Sequence, residues 1–143
     1  MENFMTLRFL ALSRNESFAR AVASAFFAQL DPTMAEIADL RTAVSEAVTN
    51  CVVHAYGEEA PQNYVTMTMY LYEKEVKVVI EDTGRGIENI ELARQPFFTT
   101  AKGEERSGMG FSVMETFMDS LNVESVLGKG TRVTMTKRVG ERT

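Results

Sequence analysis

Apolar residues recur every three or four positions in two long segments near the start of the chain, a spacing typical of amphipathic helices. The first segment covers residues 18–30 and stops at Pro32, and the second covers residues 37–55 and ends before Gly57. A short apolar run over residues 6–12 precedes both. The pattern predicts a strand followed by two helices.

A Ser/Thr-x-x-Glu sequence stands before each helical segment, at residues 13–16 and 33–36. In such a capping box the hydroxyl accepts from an amide of the first turn, and the glutamate accepts from the amide of the cap residue. We therefore expect both helices to begin with a capping box. Pro32 reinforces the second start, because proline suits the beginning of a helix.

Later in the chain, apolar and polar residues alternate in four short runs, which is the pattern of half-buried strands. Residues 64–72 and 76–81 predict an antiparallel hairpin, and residues 122–126 and 131–137 predict a second strand pair. Helical spacing returns over residues 110–121. These elements together predict an α/β domain.

The segment between the two strand pairs is less regular. Residues 90–94 predict a short helix. Residues 99–107 are polar and show no periodicity, and we interpret them as a lid.

Size and charge limit the classes of function open to the chain. Its 143 residues and 16.0 kDa suffice for one domain. A net charge of -5 and a pI near 5.0 argue against a broad nucleic-acid surface. The chain shows no signal-peptide pattern and no apolar run near the roughly 18 residues of a membrane helix. We expect a cytoplasmic protein with protein or small-molecule partners and no membrane contact.

An aspartate and two glycines follow the hairpin: Asp82, Gly84 and Gly86. A fixed carboxylate can accept from the exocyclic amine of adenine, and glycines let the backbone come close to the ring. A polar turn explains the same residues without a ligand, and the tripeptide at residues 82–84 also occurs in aspartic proteases. Arg85 and the two long helices argue against a protease.

Glu46, Asn50 and His54 stand four residues apart on one face of the second predicted helix. The amide oxygen of Asn50 could ligate a hard cation, and Glu46 could orient or deprotonate a nucleophile. His54 could contact a phosphate or cap the helix end, and the sequence favours neither. A solvated helix face is the alternative for Glu46 and Asn50, although asparagine is a poor residue for mid-helix.

Gly108, Met109 and Gly110 precede the last predicted helix and resemble a phosphate cradle, in which free amides and the positive helix end face an anion. A flexible helix start is the plain alternative. Arg106 could close over a terminal phosphate, and Lys102 is a weaker candidate for the same role.

Cys51 lies on or beside the apolar stripe of the second helix and predicts a core thiol. One histidine and one cysteine cannot build a zinc site, and a single cysteine cannot form an internal disulfide. The nine methionines predict core packing. Thr131, just after a glycine turn, could reach an adenine pocket.

Taken in order, residues 46–50, 82–86 and 106–110 resemble the N box and the two glycine boxes of the GHKL ATPase superfamily. Four segments narrow the similarity: residues 15–20, 45–50, 93–100 and 105–111 together resemble the anti-sigma F factor family of spore-forming bacteria. The similarity covers nearly the whole chain. It implies a two-layer Bergerat-type α/β sandwich, with a mixed, mostly antiparallel sheet and helices on one face.

The resemblance further implies a homodimeric protein serine kinase that uses ATP and Mg²⁺, holds the sporulation sigma factor F and phosphorylates an anti-anti-sigma protein. It makes Glu46 the general base, Asn50 the magnesium ligand and Asp82 the adenine-binding carboxylate. Arg106 would face the γ-phosphate, and Arg20 would contact partners. The remaining nucleotide contacts implied are His54, Gly84, Gly86, Thr99, Thr100, Ser107, Gly108, Met109, Gly110 and Thr131.

Two alternatives stay open within this family. A related kinase could act on a stress-response sigma factor, although residues 15–20 favour the sporulation branch. A binding module could use ATP only to set its shape, without phosphoryl transfer. Histidine autophosphorylation is not expected, because the single histidine, His54, lies inside the N box.

Overall fold

Five strands form one antiparallel sheet whose alternating apolar residues make one of its faces. The computed structural model describes residues 1–95 and 110–140. The strands are β1 (Asn3–Leu10), β2 (Tyr64–Leu71), β3 (Glu75–Asp82), β4 (Ser120–Val126) and β5 (Gly130–Arg138). Their spatial order is β1-β2-β3-β5-β4, and every neighbouring pair is antiparallel. Both predicted strand pairs are confirmed, and β1 begins earlier than the predicted residues 6–12.

Helices cover the apolar face of this sheet. They are α1 (Asn15–Phe27), α2 (Met34–Thr49), α3 (Ile90–Ala93) and α4 (Phe111–Phe117). A 3₁₀ turn, Ala28–Leu30, extends α1, and α2 packs against both α1 and α4. In the two described ranges no helix is long and apolar enough to cross a membrane. The two-layer architecture confirms the predicted fold class and does not match the all-β architecture of aspartic proteases. The sheet, predicted to be mixed, is antiparallel at every pair among the described strands.

The core lies between the sheet and the helices. Leu40 and Val44 of α2 and Phe111 of α4 are fully or almost fully buried there. Four methionines are also fully buried, namely Met67, Met69, Met114 and Met135. Met1 and Met34 are exposed, so core packing accounts for only some of the methionines.

The capping box predicted at residues 33–36 is confirmed. The Thr33 hydroxyl accepts from the Glu36 amide at 3.1 Å, and the Glu36 carboxylate accepts from the Thr33 amide at 2.8 Å. Both side chains satisfy amides that the first turn of α2 leaves without a partner in the helix. The start of α2 is therefore fixed by local sequence.

The capping box predicted at residues 13–16 is wrong. Arg14 is the cap residue of α1, and its side chain makes no bond to the first turn. The Asn15 side chain instead donates to the last carbonyl of β1 at 2.9 Å, and Glu16 accepts from Arg20 at 2.9 Å. The turn out of β1, rather than Ser13, sets where this helix begins.

The last helix is shorter than the predicted residues 110–121, because α4 ends at Phe117. The Asp119 amide already donates to the Thr136 carbonyl at 2.8 Å, as the chain enters β4. Lys137 donates to the Phe117 carbonyl at 2.7 Å and satisfies the helix end. Pairing with β5 overrides the helical spacing of the apolar residues.

Thr33→Ala tests the cap of α2. Removing the hydroxyl leaves an amide of the first turn without its acceptor, so we expect a loss of about 1 kcal/mol in the free energy of unfolding. Urea unfolding at one protein concentration measures it. Thr42→Ala, an exposed position within the same helix, is the matched control and should cost little or nothing. Equal losses in the two variants would contradict the capping role.

Candidate nucleotide-binding site

The second helix continues into a seven-residue π-helix that forms one wall of a cavity. This segment, Asn50–Tyr56, has wider turns than α2 and stops at Gly57. The Gly57 amide donates to the Val52 carbonyl at 3.2 Å, five residues back. The sequence predicted this end but not the wider turns, which are frequent at functional sites. The cavity-lining residues of the segment are Asn50, Cys51, His54 and Ala55.

Two glycines after β3 let the loop lie directly against neighbouring backbone. A Cβ atom at Gly84 would come 2.5 Å from the carbonyl oxygen of Ala55, and one at Gly86 would come 2.4 Å from that of Val126. The Arg85 amide donates to the Ala55 carbonyl at 3.1 Å and ties the loop to the π-helix. The close approach made possible by these glycines is therefore to the protein's own backbone.

The Asp82 carboxylate lines the cavity at the end of β3 and accepts a hydrogen bond from the loop that follows. The Gly84 amide donates to Asp82 Oδ1 at 2.9 Å. Burial raises the pKa of Asp82 above its usual value. The bond from Gly84, and smaller contributions from the nearby Cys51 side chain and Thr131 backbone, oppose that rise because they favour the charged form.

The Glu46 carboxylate, from the motif at residues 46–50, lies against Gly110, the last residue of the motif at residues 106–110. Gly110 precedes α4 with a left-handed backbone, φ 68°. A Cβ atom on Gly110 would come 2.1 Å from Glu46 Oε1. Only glycine fits this position without moving the carboxylate.

The elements line a narrow pocket, open to solvent, with an interior volume of about 20 Å³, which is room for about one water molecule. Its walls are mostly apolar with a few polar groups, a lining typical of small-molecule sites. The lining residues are Ala47, Asn50, Cys51, His54, Ala55, Asp82, Gly86, Ile87, Phe111, Thr131 and Val133. The chemistry of this lining, apolar with one carboxylate, suits a flat ring that carries a hydrogen-bond donor, and the walls must move apart to take the whole ring.

The structure brings many of the predicted site residues together. Five line the cavity: Asn50, His54, Asp82, Gly86 and Thr131. Glu46, Gly84 and Gly110 contact or adjoin that lining, whereas Arg20 lies on α1 and is bonded to Glu16 and Ser45. The predicted lid at residues 99–107 and six predicted contacts lie outside the described residues, namely Thr99, Thr100, Arg106, Ser107, Gly108 and Met109.

The sequence interpretation missed six lining residues: Ala47, Cys51, Ala55, Ile87, Phe111 and Val133. Ala47, Cys51 and Ala55 carried a usable signal, since they are small residues close to Asn50 along the same helical segment. Cys51 is 3% exposed and belongs to the hydrophobic core, as predicted, but it also borders the cavity.

Asn50 has the polar character expected of a magnesium ligand. Its Nδ2 atom is fully buried and has no hydrogen-bond partner among the described residues. An unpartnered nitrogen donor is expected to meet a hydrogen-bond acceptor of a bound ligand, such as a phosphate oxygen. The nitrogen itself cannot hold a cation, so Oδ1 of the same amide is the atom that could ligate Mg²⁺. The described residues contain no group of three or more His, Cys, Asp or Glu that could hold a metal. The donor set therefore fits Mg²⁺ held by one amide oxygen together with phosphate and water oxygens.

Comparison with protein families identifies the domain. The model described as "Histidine kinase-like ATPase domain" matches residues 9–137. The chain belongs to this family. Its fold and its nucleotide-binding motifs agree with that membership.

Curated relatives narrow the family further. An anti-sigma F factor from Caldanaerobacter subterraneus subsp. tengcongensis is 56% identical over 138 residues, which cover 96% of this chain and 95% of the relative. An anti-sigma F factor from Clostridium perfringens is 53% identical over 139 residues, covering 97% of this chain and 99% of the relative. These identities confirm the resemblance to the anti-sigma F factor family.

Solved structures share the fold. The RsbU and RsbW domains of Rv1364c from Mycobacterium tuberculosis match 99% of this chain and 34% of that chain, with a TM-score of 0.72 and 18% identity. The catalytic domain of histidine kinase ThkA matches 96% of both chains, with a TM-score of 0.60 and 16% identity. At these identities the likeness concerns architecture alone.

Asp82→Asn tests whether the charge of this partly buried carboxylate weakens the nucleotide-free protein. Since the folded-state pKa of Asp82 is raised, its stabilising contribution is present below the usual value of 3.8 and is lost as pH rises through the folded pKa. We therefore expect the variant to gain stability relative to the natural protein as pH rises from about 4 to 7.

Urea unfolding of both proteins at several pH values measures this difference. Asparagine keeps an oxygen that can accept from the Gly84 amide, so the local turn is preserved. A stability difference that does not change with pH would contradict the raised pKa.

Proposed function

We propose that this chain is a cytoplasmic anti-sigma factor that binds and inhibits the sporulation sigma factor F. In the same proposal it is a homodimeric, Mg-ATP-dependent protein serine kinase. Its substrate is a serine of an anti-anti-sigma protein, and phosphorylation of that serine controls release of the sigma factor. It binds no nucleic acid directly.

The relatives support the anti-sigma part of the proposal. They are named anti-sigma F factor, are 53–56% identical to this chain, and are matched over at least 95% of their length. The same names favour the sporulation branch over a stress-response sigma factor.

The contact between Glu46 and Gly110, with Asn50 one turn further along the same helix, supports the kinase part of the proposal. Gly110 opens α4 against the Glu46 carboxylate, and Asn50 is one helical turn from Glu46. In the proposal the phosphates lie at the start of α4, so a carboxylate and a magnesium-binding amide stand beside the group that is transferred. A pure binding module would not need a carboxylate there.

In the proposed reaction the substrate serine hydroxyl attacks the γ-phosphorus of ATP, Glu46 accepts the hydroxyl proton, and ADP leaves. Bound Mg²⁺ would neutralise phosphate charge, with Asn50 as its protein ligand. Asp82 would accept from the adenine amine, beside Gly86 and Thr131.

The other nucleotide contacts follow the family resemblance. His54 would lie near the phosphates, and Gly84 would fix the loop that carries the adenine site. Arg106 would stabilise charge on the transferred phosphoryl group. The remaining contacts proposed along the phosphates are Thr99, Thr100, Ser107, Gly108, Met109 and Gly110.

The kinase is tested with γ-labelled Mg-ATP and the candidate anti-anti-sigma protein. We expect label on a substrate serine with the natural protein. Glu46→Gln keeps the size and shape of the side chain beside Gly110 but cannot accept the proton, so transfer should fall by about 10² or more while ATP still binds. Glu59→Gln, an exposed glutamate in a loop, is the matched control and should leave transfer unchanged.

Two results would contradict this assignment. ATP binding without any transfer by the natural protein would favour a nucleotide-gated binding module. Full transfer by Glu46→Gln would remove Glu46 from the role of general base but leave the kinase in place.

Arg20 is proposed as a partner contact, and its substitution tests the anti-sigma surface. Its side chain is 36% exposed on α1 and is held by Glu16 at 2.9 Å, so it is oriented before a partner arrives. Arg20→Ala should weaken binding of sigma factor F by about tenfold or more, without changing ATP affinity. Titration calorimetry measures both. Arg132→Ala, on β5, is the control, and equal weakening by the two variants would argue against a specific role for Arg20.

A further inference from the structure

The ladder between β2 and β3 stops one step before the end that its register allows. That register brings Tyr64 opposite Thr83, directly after the last pair that forms. Hydrogen bonds occur at every second pair of an antiparallel ladder. Tyr72 and Glu75 are such a pair at the hairpin end, where the Tyr72 amide donates to the Glu75 carbonyl at 2.8 Å. Counted in steps of two from there, Tyr64 and Thr83 are also expected to be hydrogen-bonded.

The hydroxyl of Tyr56 lies between these two residues instead. The Thr83 amide donates to Tyr56 Oη at 2.8 Å, and Tyr56 Oη donates to the Tyr64 carbonyl at 2.6 Å. Tyr56 is the last residue of the π-helix, and its ring packs against the hydrophobic core. One oxygen atom from the helix layer therefore takes the place of a direct bond between the two strands.

The hydrogen bonds around this oxygen leave both strands satisfied. A phenol hydroxyl has one proton to donate, and that of Tyr56 goes to the Tyr64 carbonyl. The Thr83 hydroxyl, 3.2 Å from Tyr56 Oη, is therefore a second donor to it beside the Thr83 amide. Both backbone groups thus have partners without pairing with each other. Removal of the Tyr56 hydroxyl would free them to bond each other directly.

The inserted hydroxyl acts on the backbone of Asp82. The amide that donates to it belongs to the peptide group directly after Asp82. Beyond that point the chain leaves the sheet and packs on the π-helix, where the Arg85 amide donates to the Ala55 carbonyl at 3.1 Å. A direct bond between Thr83 and Tyr64 would extend β3 by one residue and draw this loop away from the π-helix.

The direction of the Asp82 carboxylate depends on the same loop. Its Oδ1 atom accepts from the Gly84 amide at 2.9 Å. Gly84 in turn lies so close to the π-helix that a Cβ atom there would come 2.5 Å from the Ala55 carbonyl oxygen. The loop can therefore hold the carboxylate in this direction only while it stays packed on the π-helix.

We propose that Tyr56 is a positioning residue for adenine selectivity: its hydroxyl keeps β3 from pairing beyond Asp82 and so holds the loop that directs the carboxylate into the cavity. This inference rests on the proposed role of Asp82 in binding adenine. Tyr56 is not among the residues that line the cavity, and it acts through the backbone rather than by touching the nucleotide.

Titration calorimetry with ATP and with purine riboside triphosphate, which lacks the exocyclic amine, tests the proposal. The ratio of the two affinities measures selectivity for the amine. Tyr56→Phe removes the hydroxyl and keeps the ring that packs on the core. We expect it to reduce the ratio by roughly two- to tenfold, chiefly by weakening ATP. A loss of structure in general would weaken both nucleotides alike and leave the ratio unchanged.

A second measurement follows the ladder itself. Scalar coupling across a hydrogen bond, observed by NMR, reports a direct bond between the Thr83 nitrogen and the Tyr64 carbonyl carbon. We expect this coupling in Tyr56→Phe and not in the natural protein, because only the variant lets the two groups meet.

Two controls separate positioning from other effects of losing a hydroxyl. Tyr72→Phe removes a hydroxyl at the hairpin end of the same ladder, one that makes no hydrogen bond among the described residues, and should leave the ratio unchanged. In an Asp82→Asn background, Tyr56→Phe should have no further effect on the ratio, because the group it acts through is gone.

The outcomes distinguish failure of this inference from failure of its premise. An unchanged ratio in Tyr56→Phe, or the absence of the new coupling in that variant, would overturn the positioning role alone. An unchanged ratio in Asp82→Asn itself would overturn the adenine role of Asp82 and this inference with it.

Discussion

The close approach of the Asp82–Gly86 loop to the π-helix is the constraint on which the cavity depends. The Ala55 carbonyl accepts from the Arg85 amide, and no space remains between that carbonyl and Gly84 for even one carbon atom. On its other side the loop touches the backbone of the β4–β5 turn at Val126. The direction of Asp82 is therefore set by backbone packing on two sides, which long and flexible side chains could not provide as firmly.

The same packing explains why the site combines polar groups with apolar walls. Asp82 sits in a region dry enough to disfavour its charge, and the hydrogen bond from the Gly84 amide offsets part of that cost. A well-hydrated carboxylate would be easier to accommodate but would distinguish poorly between ligands, because water would compete for its acceptors. Function and stability thus favour different surroundings for this one side chain.

Sequence periodicity and turn residues predicted the order of the helices and strands. They predicted where these elements begin and end only where the deciding contacts lie close together along the chain. The Thr33–Glu36 box formed because both partners lie within one turn, whereas Ser13 lost its role to a turn out of β1. Leu121 matched helical spacing, yet pairing with β5 placed it in a strand. The π-helix and the cavity side of Cys51 were not predictable from periodicity, because both depend on what the glycine loop packs against.

The contact between Glu46 and Gly110 has a consequence for how such a chain can change over generations. A Cβ atom at position 110 would come 2.1 Å from Glu46 Oε1, so a larger residue there forces the carboxylate to move. The left-handed backbone of Gly110, φ 68°, also becomes strained once the residue has a side chain. A mutation of this glycine therefore alters the start of α4 and the place of the Glu46 carboxylate in the same step.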